Sequence, residues 1–242
     1  MKLLDLFENM FLANHSCICC FKEIPDETKF MLCDDCEDKM NYLSGNLCSK
    51  CGDKLTLGGN CVNNCKTNRY LFRSNVSLCH YVDSAAKIIK NLKYGNKKYL
   101  AKYVADMMIA MVSKFKDLDI ITFVPASKTR IKSRGFNQAE EIAIHIGESL
   151  NIEVRKLLIK TKETTHQAGG TQKDRMKNLE DSFAINEEFE DEIENKNILI
   201  IDDVFTTGST LNECTKTLKK KNPKCVYCAT FAKTKFNINA QN

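Results

Sequence analysis

The chain has 242 residues, of which 43% are hydrophobic and 28% are charged, and its formal net charge is +5. This length can supply one substantial hydrophobic core and a small additional module. No apolar run reaches the ~18 residues of a membrane-spanning helix, so we predict no membrane insertion. The modest positive charge permits an anionic partner but does not require one.

The N-terminal segment, residues 1–16, is mildly amphipathic. Asp5 and Glu8 interrupt its apolar residues, which argues against a secretory signal. We therefore predict a helical segment that packs on the body of the protein. We also expect a cytoplasmic protein.

Closely spaced cysteine pairs characterise the next segment, residues 17–65, which we predict to be a metal-binding module. Ten of the 13 cysteines of the chain lie at or before Cys79. Two pairs supply the four sulfurs of a tetrahedral Zn²⁺ site, and a full set of four protein ligands makes such a site structural. Joining neighbouring pairs predicts two sites, formed by Cys17, Cys20, Cys33 and Cys36, and by Cys48, Cys51, Cys61 and Cys65.

Several alternatives to this assignment stay open at the level of the sequence. Cys19 could replace Cys17 as the first ligand, and the number of zinc ions is one or two. Unmetallated buried thiols, a [4Fe–4S] cluster or a secreted disulfide framework would use the same cysteines. The paired spacing and the absence of a signal favour zinc in a reducing compartment.

A linker over residues 66–73 leads to an α/β domain over residues 74–234, and a tail covers residues 235–242. Strands and helices alternate along this domain, which predicts a mainly parallel sheet flanked by helices. The predicted strands cover residues 76–81, 120–124, 153–159, 198–201 and 225–231, with a short one from Phe183. Helices are predicted after an N-cap at Ser84, over 98–115, after an N-cap at Asn137 and after Thr210.

Two irregular segments of this domain suggest binding. The first, residues 125–138, follows a strand and carries Lys128, Arg130, Lys132 and Arg134, a charge density that suits a pyrophosphate. A solvated basic loop is the alternative. The second, residues 161–178, is too long for an ordinary connection and is predicted to be either a functional loop that closes over a site or a disordered segment.

The most informative motif begins with the apolar run Ile198–Ile201, which Asp202 and Asp203 follow. Ligands of open α/β sheets bind beyond the carboxyl ends of the strands, and a helix N-terminus favours a phosphate. This order predicts a site for a phosphorylated sugar, although an acidic turn without a ligand is the alternative. The predicted phosphate-binding residues are Thr206, Thr207, Gly208, Ser209 and Thr210.

Lysines and tyrosines alternate over residues 93–103, a composition that could stack bases and neutralise phosphates of a single strand. The alternative, which we favour from the sequence, is an amphipathic helix with a solvated lysine face.

The motif from residue 197 to 211 resembles the signature of type I phosphoribosyltransferases, which bind phosphoribosyl pyrophosphate (PRPP). The complete order of motifs resembles the ComF-like family, in which an N-terminal zinc-ribbon module precedes a phosphoribosyltransferase domain. The resemblance rests on the cysteine pairs, Arg134-Gly-Phe-Asn-Gln138, the spaced Thr165, Gln167, Arg175, Asn178 and Phe183, and residues 201–210.

The resemblance implies a type I phosphoribosyltransferase fold, and PRPP with Mg²⁺ as the ligand. Asp202 and Asp203 would hold the ribose hydroxyls, directly or through Mg²⁺-bound water, and residues 206–210 would cradle the 5-phosphate. Ser127 and Lys128 would contribute to PRPP binding, and Arg134 or Lys128 would meet the pyrophosphate. For some members it implies a role in natural competence, with single-stranded DNA and DNA-uptake proteins as partners. Whether the chain is a binding protein or an active transferase stays open.

Overall fold

A computed structural model describes residues 16–25, 31–61, 65, 70–95, 97–162 and 181–235. Three predicted features therefore lie almost wholly outside the described residues. They are the N-terminal helix, the closing loop with Gln167 and Arg175, and the tail; the first half of the linker, residues 66–69, also lies outside.

The strands in chain order are β1 (Ser74–His80), β2 (Ile120–Phe123), β3 (Glu153–Val154), β4 (Leu158–Lys160), β5 (Phe183–Ile185), β6 (Asn197–Phe205) and β7 (Cys225–Lys233). Within the described residues, five of them form a parallel sheet in the order β1-β7-β6-β2-β3. The short strands β4 and β5 form a separate antiparallel pair. The predicted parallel sheet is confirmed.

The α-helices of the described residues are α1 (Asp34–Glu37), α2 (Asp83–Tyr94), α3 (Leu100–Val112), α4 (Lys128–Arg134), α5 (Gln138–Leu150) and α6 (Ser209–Leu218). Short 3-10 turns cover Glu187–Glu192 and Lys219–Lys221. None of these helices is long and apolar enough to cross a bilayer. Asn137 caps α5 as predicted, because its side-chain oxygen accepts a hydrogen bond from the backbone N–H of Ala139.

Two hydrophobic cores cover the two faces of the sheet, because side chains alternate along each strand. Leu199 and Ile201 of β6 belong to the core that contains the buried faces of α2, α3 and α5. Ile198 and Ile200 belong to the core under α6. The cysteine module contributes to both: the first predicted zinc site lies in the former core and the second in the latter.

The cysteine module also covers β1, which lies at the edge of the sheet. The backbone N–H of Leu43 donates to the carbonyl of Leu78 at 2.9 Å, and the N–H of Asn75 donates to the carbonyl of Lys50 at 3.0 Å. An uncovered edge strand would expose a row of unpaired backbone groups. The module therefore completes the fold of the domain.

The structure corrects four details of the predicted elements. The strand predicted over 153–159 is divided into β3 and β4. The loop predicted over 125–138 contains α4, which begins where Ser127 Oγ accepts a hydrogen bond from the backbone N–H of Arg130 at 3.4 Å. Ser84 does not cap α2; Val82 is the N-cap residue, and Ser84 lies buried in the first turn. The strand predicted to end at Ile201 continues to Phe205, so the two aspartates belong to it.

Candidate functional site

Asp202 and Asp203 lie near the carboxyl end of β6, in the middle of the parallel sheet. Adjacent residues of a strand project to opposite faces, so the two carboxylates leave the strand in different directions. The backbone N–H of Asp203 donates to Oδ1 of Asp202 at 2.9 Å, which fixes the first carboxylate against the strand. Asp203 is only 8% exposed.

Lys93, in the last turn of α2, supplies the positive charge that faces the aspartates. Its Nζ lies 2.5 Å from Oδ2 of Asp203, and its side chain is 23% exposed. Burial acts to lower the pKa of Lys93, but the charges of Asp203 and Asp202 outweigh this effect, and the net pKa is raised. Lys93 therefore stays an ammonium within the acidic site.

The pKa of Asp202 is raised to about 8, chiefly by burial and also by the neighbouring charge of Asp203, against which Lys93 acts. A carboxyl group with such a pKa is partly protonated near neutral pH. It can then both donate and accept hydrogen bonds, whereas an ionised carboxylate only accepts them. This dual capacity suits the hydroxyl groups of a sugar.

A short loop follows β6 and leads into α6. Gly208 is the N-cap residue of α6, with φ of 75°, and Thr207 Oγ1 lies 2.8 Å from Ser209 Oγ. Thr206 is exposed, whereas Thr207, Ser209 and Thr210 are half-buried. The first backbone N–H groups of a helix lack intrahelical acceptors and carry the positive end of its dipole. The loop has the hydroxyls and the helix N-terminus that a phosphate requires.

The predicted basic residues lie on α4, which follows the neighbouring strand β2. Ser127 is buried and uses its hydroxyl as the cap of α4, while Lys128 is exposed. The guanidinium carbon of Arg134 lies 5.1 Å from the centre of the Tyr94 ring, a cation–π contact. Tyr94 directly follows Lys93, so the structure brings Arg134 to the helix end that contacts Asp203.

The lysine-rich segment over 93–103 differs from the sequence interpretation. Lys93 does not belong to a solvated face, because it pairs with Asp203. Tyr99 and Tyr103 pack against the core, and Lys98 lies 2.9 Å from Glu141. Among the segment's described tyrosines, Tyr94 alone is largely exposed, at 75%.

Lys93 is the residue of this site that sequence reasoning assigned elsewhere. A lysine at the end of an amphipathic helix is normally solvated, and nothing in the local sequence identifies its distant carboxylate partner.

The eight predicted zinc ligands form two clusters, each with its four sulfurs within 4.8 Å of one another. The sulfurs of Cys20 and Cys33 are 3.7 Å apart, and those of Cys51 and Cys61 are 3.5 Å apart. Tetrahedral Zn–S bonds of ~2.3 Å separate the sulfurs by about 3.8 Å. Both clusters can therefore hold a zinc ion. Cys19 lies outside them and donates to the carbonyl of Ser84.

Comparisons with known proteins agree with this geometry. Residues 130–237 match the phosphoribosyl transferase domain family. Over 218 residues, 87% of the chain, the sequence is 28% identical to competence protein F of Haemophilus influenzae, of which 93% is covered. It is 27% identical to competence protein ComFC of Bacillus subtilis, covering 81% of this chain and 80% of that one. This chain is similar to the ComF-like competence proteins over most of its length.

A more distant relative of this chain is the DNA utilization protein YhgH of Escherichia coli, at 24% identity over 74% of this chain and 81% of that one. Solved structures also match. The allosteric regulatory enzyme of purine biosynthesis has a TM-score of 0.36 at 20% identity, over 57% of this chain and 25% of that one. The adenine phosphoribosyltransferase of Thermoanaerobacter pseudethanolicus has a TM-score of 0.36 at 14% identity, over 58% and 83%.

The chain spans about a quarter of the length of the first of these structures. The matched domain, the helix-flanked parallel sheet and the N-terminal cysteine clusters confirm the expected type I phosphoribosyltransferase fold with a cysteine-rich module.

Proposed function

We propose that this chain binds PRPP and acts in the cytoplasm on incoming single-stranded DNA during natural competence. The carrying observation is the acidic end of β6, where Asp203, paired with Lys93 of α2, lies on the same strand that leads into the loop at Gly208. This arrangement offers groups for a sugar and for a phosphate at one sheet edge.

The proposed roles follow from the chemistry of each group. Asp202 and Asp203 hold the ribose hydroxyls, and Thr206, Thr207, Gly208, Ser209 and Thr210 hold the 5-phosphate. Lys93 offers further N–H donors beside the acidic pair, in addition to the one that faces Asp203. Ser127, Lys128 and Arg134 receive the pyrophosphate end. Mg²⁺, when bound with PRPP, neutralises pyrophosphate charge.

Isothermal titration of Mg²⁺ and PRPP into the zinc-loaded full chain tests this proposal. We expect saturable heat from the wild type and at least tenfold weaker binding by Asp203→Asn, because a charge-assisted hydrogen bond contributes ~1.5–3 kcal/mol. Asp106→Asn is the matched control, since Asp106 also pairs with a lysine, Lys102, but lies on the outside of α3. Wild-type protein that is folded yet gives no heat would refute PRPP binding.

The proposed DNA role is supported by the relatives, whose names refer to competence and to DNA utilization. Within the described surface, the exposed ring of Tyr94 beside Arg134 is the best place for a base to stack. Fluorescence anisotropy with a labelled single strand should show weaker binding by Tyr94→Ala and near-normal binding by Tyr94→Phe. Log affinity should fall linearly with log salt. Equal binding by all three proteins would remove Tyr94 from the interface.

A second candidate is an active phosphoribosyltransferase with an unidentified acceptor. It is favoured by the domain match, which begins within α4, at Arg130, and includes the acidic pair. Such an enzyme would move the phosphoribosyl group from pyrophosphate to a nucleophile, and its work would be positioning and electrostatic stabilisation. Pyrophosphate release on adding nucleobases would favour the enzyme. PRPP binding without release across an acceptor panel would favour the binding protein.

The proposed partners include proteins of the DNA-uptake machinery. The predicted cytoplasmic location fits two sets of four reduced thiols, because structural zinc–thiolate sites persist where thiols stay reduced.

A further inference from the structure

A chain of contacts joins the second cysteine cluster (Cys48, Cys51, Cys61 and Cys65) to the loop before α6. Lys50 lies within this cluster in sequence; its Nζ donates to the carbonyl of Phe72 and lies 5.7 Å from the centre of that ring. Phe72 stacks on Tyr70, with ring centres 4.9 Å apart. The hydroxyl of Tyr70 donates to the carbonyl of Thr207 at 3.0 Å.

A second chain of contacts leaves the same cluster through Asp53. Lys233, at the end of β7, donates to Asp53 Oδ2 at 2.7 Å and to the carbonyl of Cys51 at 3.3 Å. It is 1% exposed. Lys233 pairs in register with Phe205, the last residue of β6, and its Nζ lies 5.0 Å from the centre of that ring.

Both chains of contacts end at Gly208 and its neighbours. A Cβ atom at Gly208 would lie 2.7 Å from Cε1 of Tyr70 and 2.6 Å from Cζ of Phe205. The backbone N–H of Leu71 donates to Oδ1 of Asn212 at 2.6 Å, in the first turns of α6. The side chains that pack against this loop therefore owe their positions to contacts with the second cysteine cluster.

We propose that Tyr70 and Lys233 are positioning residues that couple the second cysteine cluster to the loop over residues 206–208. Metal held by this cluster fixes the turn that carries Lys50 and Asp53, because a structural zinc site supplies much of the folding energy of so short a segment. Loss of that metal releases Tyr70 and Lys233 and loosens the loop. That a looser loop weakens PRPP binding rests on the proposed function.

Hydrogen–deuterium exchange of the full, zinc-loaded chain tests the coupling without any ligand. We expect amides of residues 206–212 to exchange ~5-fold faster in Tyr70→Phe, the effect of one lost hydrogen bond. Cys61→Ser should give a larger effect. Tyr42→Phe is the control, because its hydroxyl donates to Glu37 Oε1 at 2.8 Å on the side of the first cluster. Wild-type exchange rates in Tyr70→Phe would overturn the coupling, whether or not Cys61→Ser folds.

PRPP titration then separates this inference from the proposed function. Tyr70→Phe should weaken PRPP binding by ~5-fold while zinc content stays at the wild-type value. If the wild type binds no PRPP, the proposed function fails, and the exchange rates still decide the coupling. If PRPP binds the wild type and Tyr70→Phe equally and the exchange rates also agree, Tyr70 is not a positioning residue.

Discussion

Lys93 Nζ lies 2.5 Å from Asp203 Oδ2, and this ion pair joins the end of α2 to the carboxyl end of β6. The helix also contacts the segment that carries the first cysteine cluster (Cys17, Cys20, Cys33 and Cys36), because the side-chain amide of Asn91 donates to the carbonyl of Cys19 at 3.0 Å. The acidic end of the candidate site is thus linked to the segment of the first cluster, whereas the contacts of Tyr70 and Lys233 link the loop before α6 to the second.

Replacing Lys93 should leave a negative charge without its cation. We expect Lys93→Met to lower the free energy of unfolding by about 2 kcal/mol, less than the ~3–5 kcal/mol of a fully buried pair, because Lys93 keeps some exposure. Urea denaturation measures the loss. Adding Asp203→Asn should restore most of it, and Lys102→Met, which breaks a more exposed pair, should cost less than ~1 kcal/mol. If the two substitutions lower the free energy of unfolding additively, the pairing of Lys93 with Asp203 is contradicted.

The raised pKa of Asp202 predicts a pH dependence of stability. The pKa rises from an ordinary value of 3.8 to about 8 on folding, so between these values the folded chain holds a proton that the unfolded chain releases. Stability therefore falls as pH rises through this window, by at most ~1.4 kcal/mol per pH unit from this group. Lys93, whose ordinary pKa of 10.5 is raised, stays charged throughout.

Denaturation midpoints at several pH values between about 5 and 8, for the wild type and Asp202→Asn, check this dependence. The difference between the two curves isolates the contribution of Asp202. If the denaturation midpoint depends on pH in the same way in both proteins, the pKa of Asp202 is not raised by folding.

Gly208→Ala should disturb the loop in two ways. The new Cβ would overlap Phe205 and Tyr70, and alanine disfavours the φ of 75°. We expect a loss of about 2–4 kcal/mol in unfolding free energy. Gly45→Ala is the matched control, because Gly45 has φ of 85° but open space around its Cβ position, and should cost only ~1 kcal/mol. Equal losses would show that the contacts at Gly208 are unimportant.

Zinc content shows whether Cys17 or Cys19 is a zinc ligand of the first cluster. Cys17 belongs to that cluster, whereas Cys19 donates to the carbonyl of Ser84. We expect Cys17→Ser to reduce bound zinc from two ions per chain to one, while Cys19→Ser retains both. Elemental analysis of purified protein gives the count. Loss of one zinc ion in Cys19→Ser but not in Cys17→Ser would mean that Cys19, and not Cys17, is the zinc ligand.

Deleting residues 1–64 tests whether the cysteine module is a detachable docking element. Because its clusters pack into both cores and cover β1, we expect the remaining domain to lose cooperative unfolding and PRPP binding together. Circular dichroism during thermal melting, with PRPP titration, would show this. A truncated chain that melts cooperatively and binds PRPP normally would make the module independent.

The sequence predicted those features that are encoded locally. Periodicity identified the strands and helices because one buried face repeats along each element, as at Ile198 and Ile200 of β6. Cysteine spacing grouped the eight thiols correctly because a tight turn fixes each pair in its own short segment. The family resemblance then indicated the order of the elements.

Features that depend on tertiary contacts were not predictable in this way. The sequence predicted a solvent-exposed Lys93 because its partner, Asp203, lies on a strand that is distant along the chain. The continuation of β6 through two carboxylates contradicts local strand propensity, and it occurs because β7 pairs with that part of the strand. Ser84 looked like a helix cap, yet it is buried in the first turn of α2, where its carbonyl accepts from the Cys19 thiol.

The sheet order has a consequence for how the chain folds. β1 joins the other strands only through β7, whose residues are among the last described. During synthesis the inner strands can assemble only after most of the chain has emerged, and β1 must wait longest for its strand partner. The cysteine module is made immediately before β1 and bonds to its backbone at Leu78 and Asn75. It can therefore pair the outer edge of this strand before β7 has been made to pair with the inner edge.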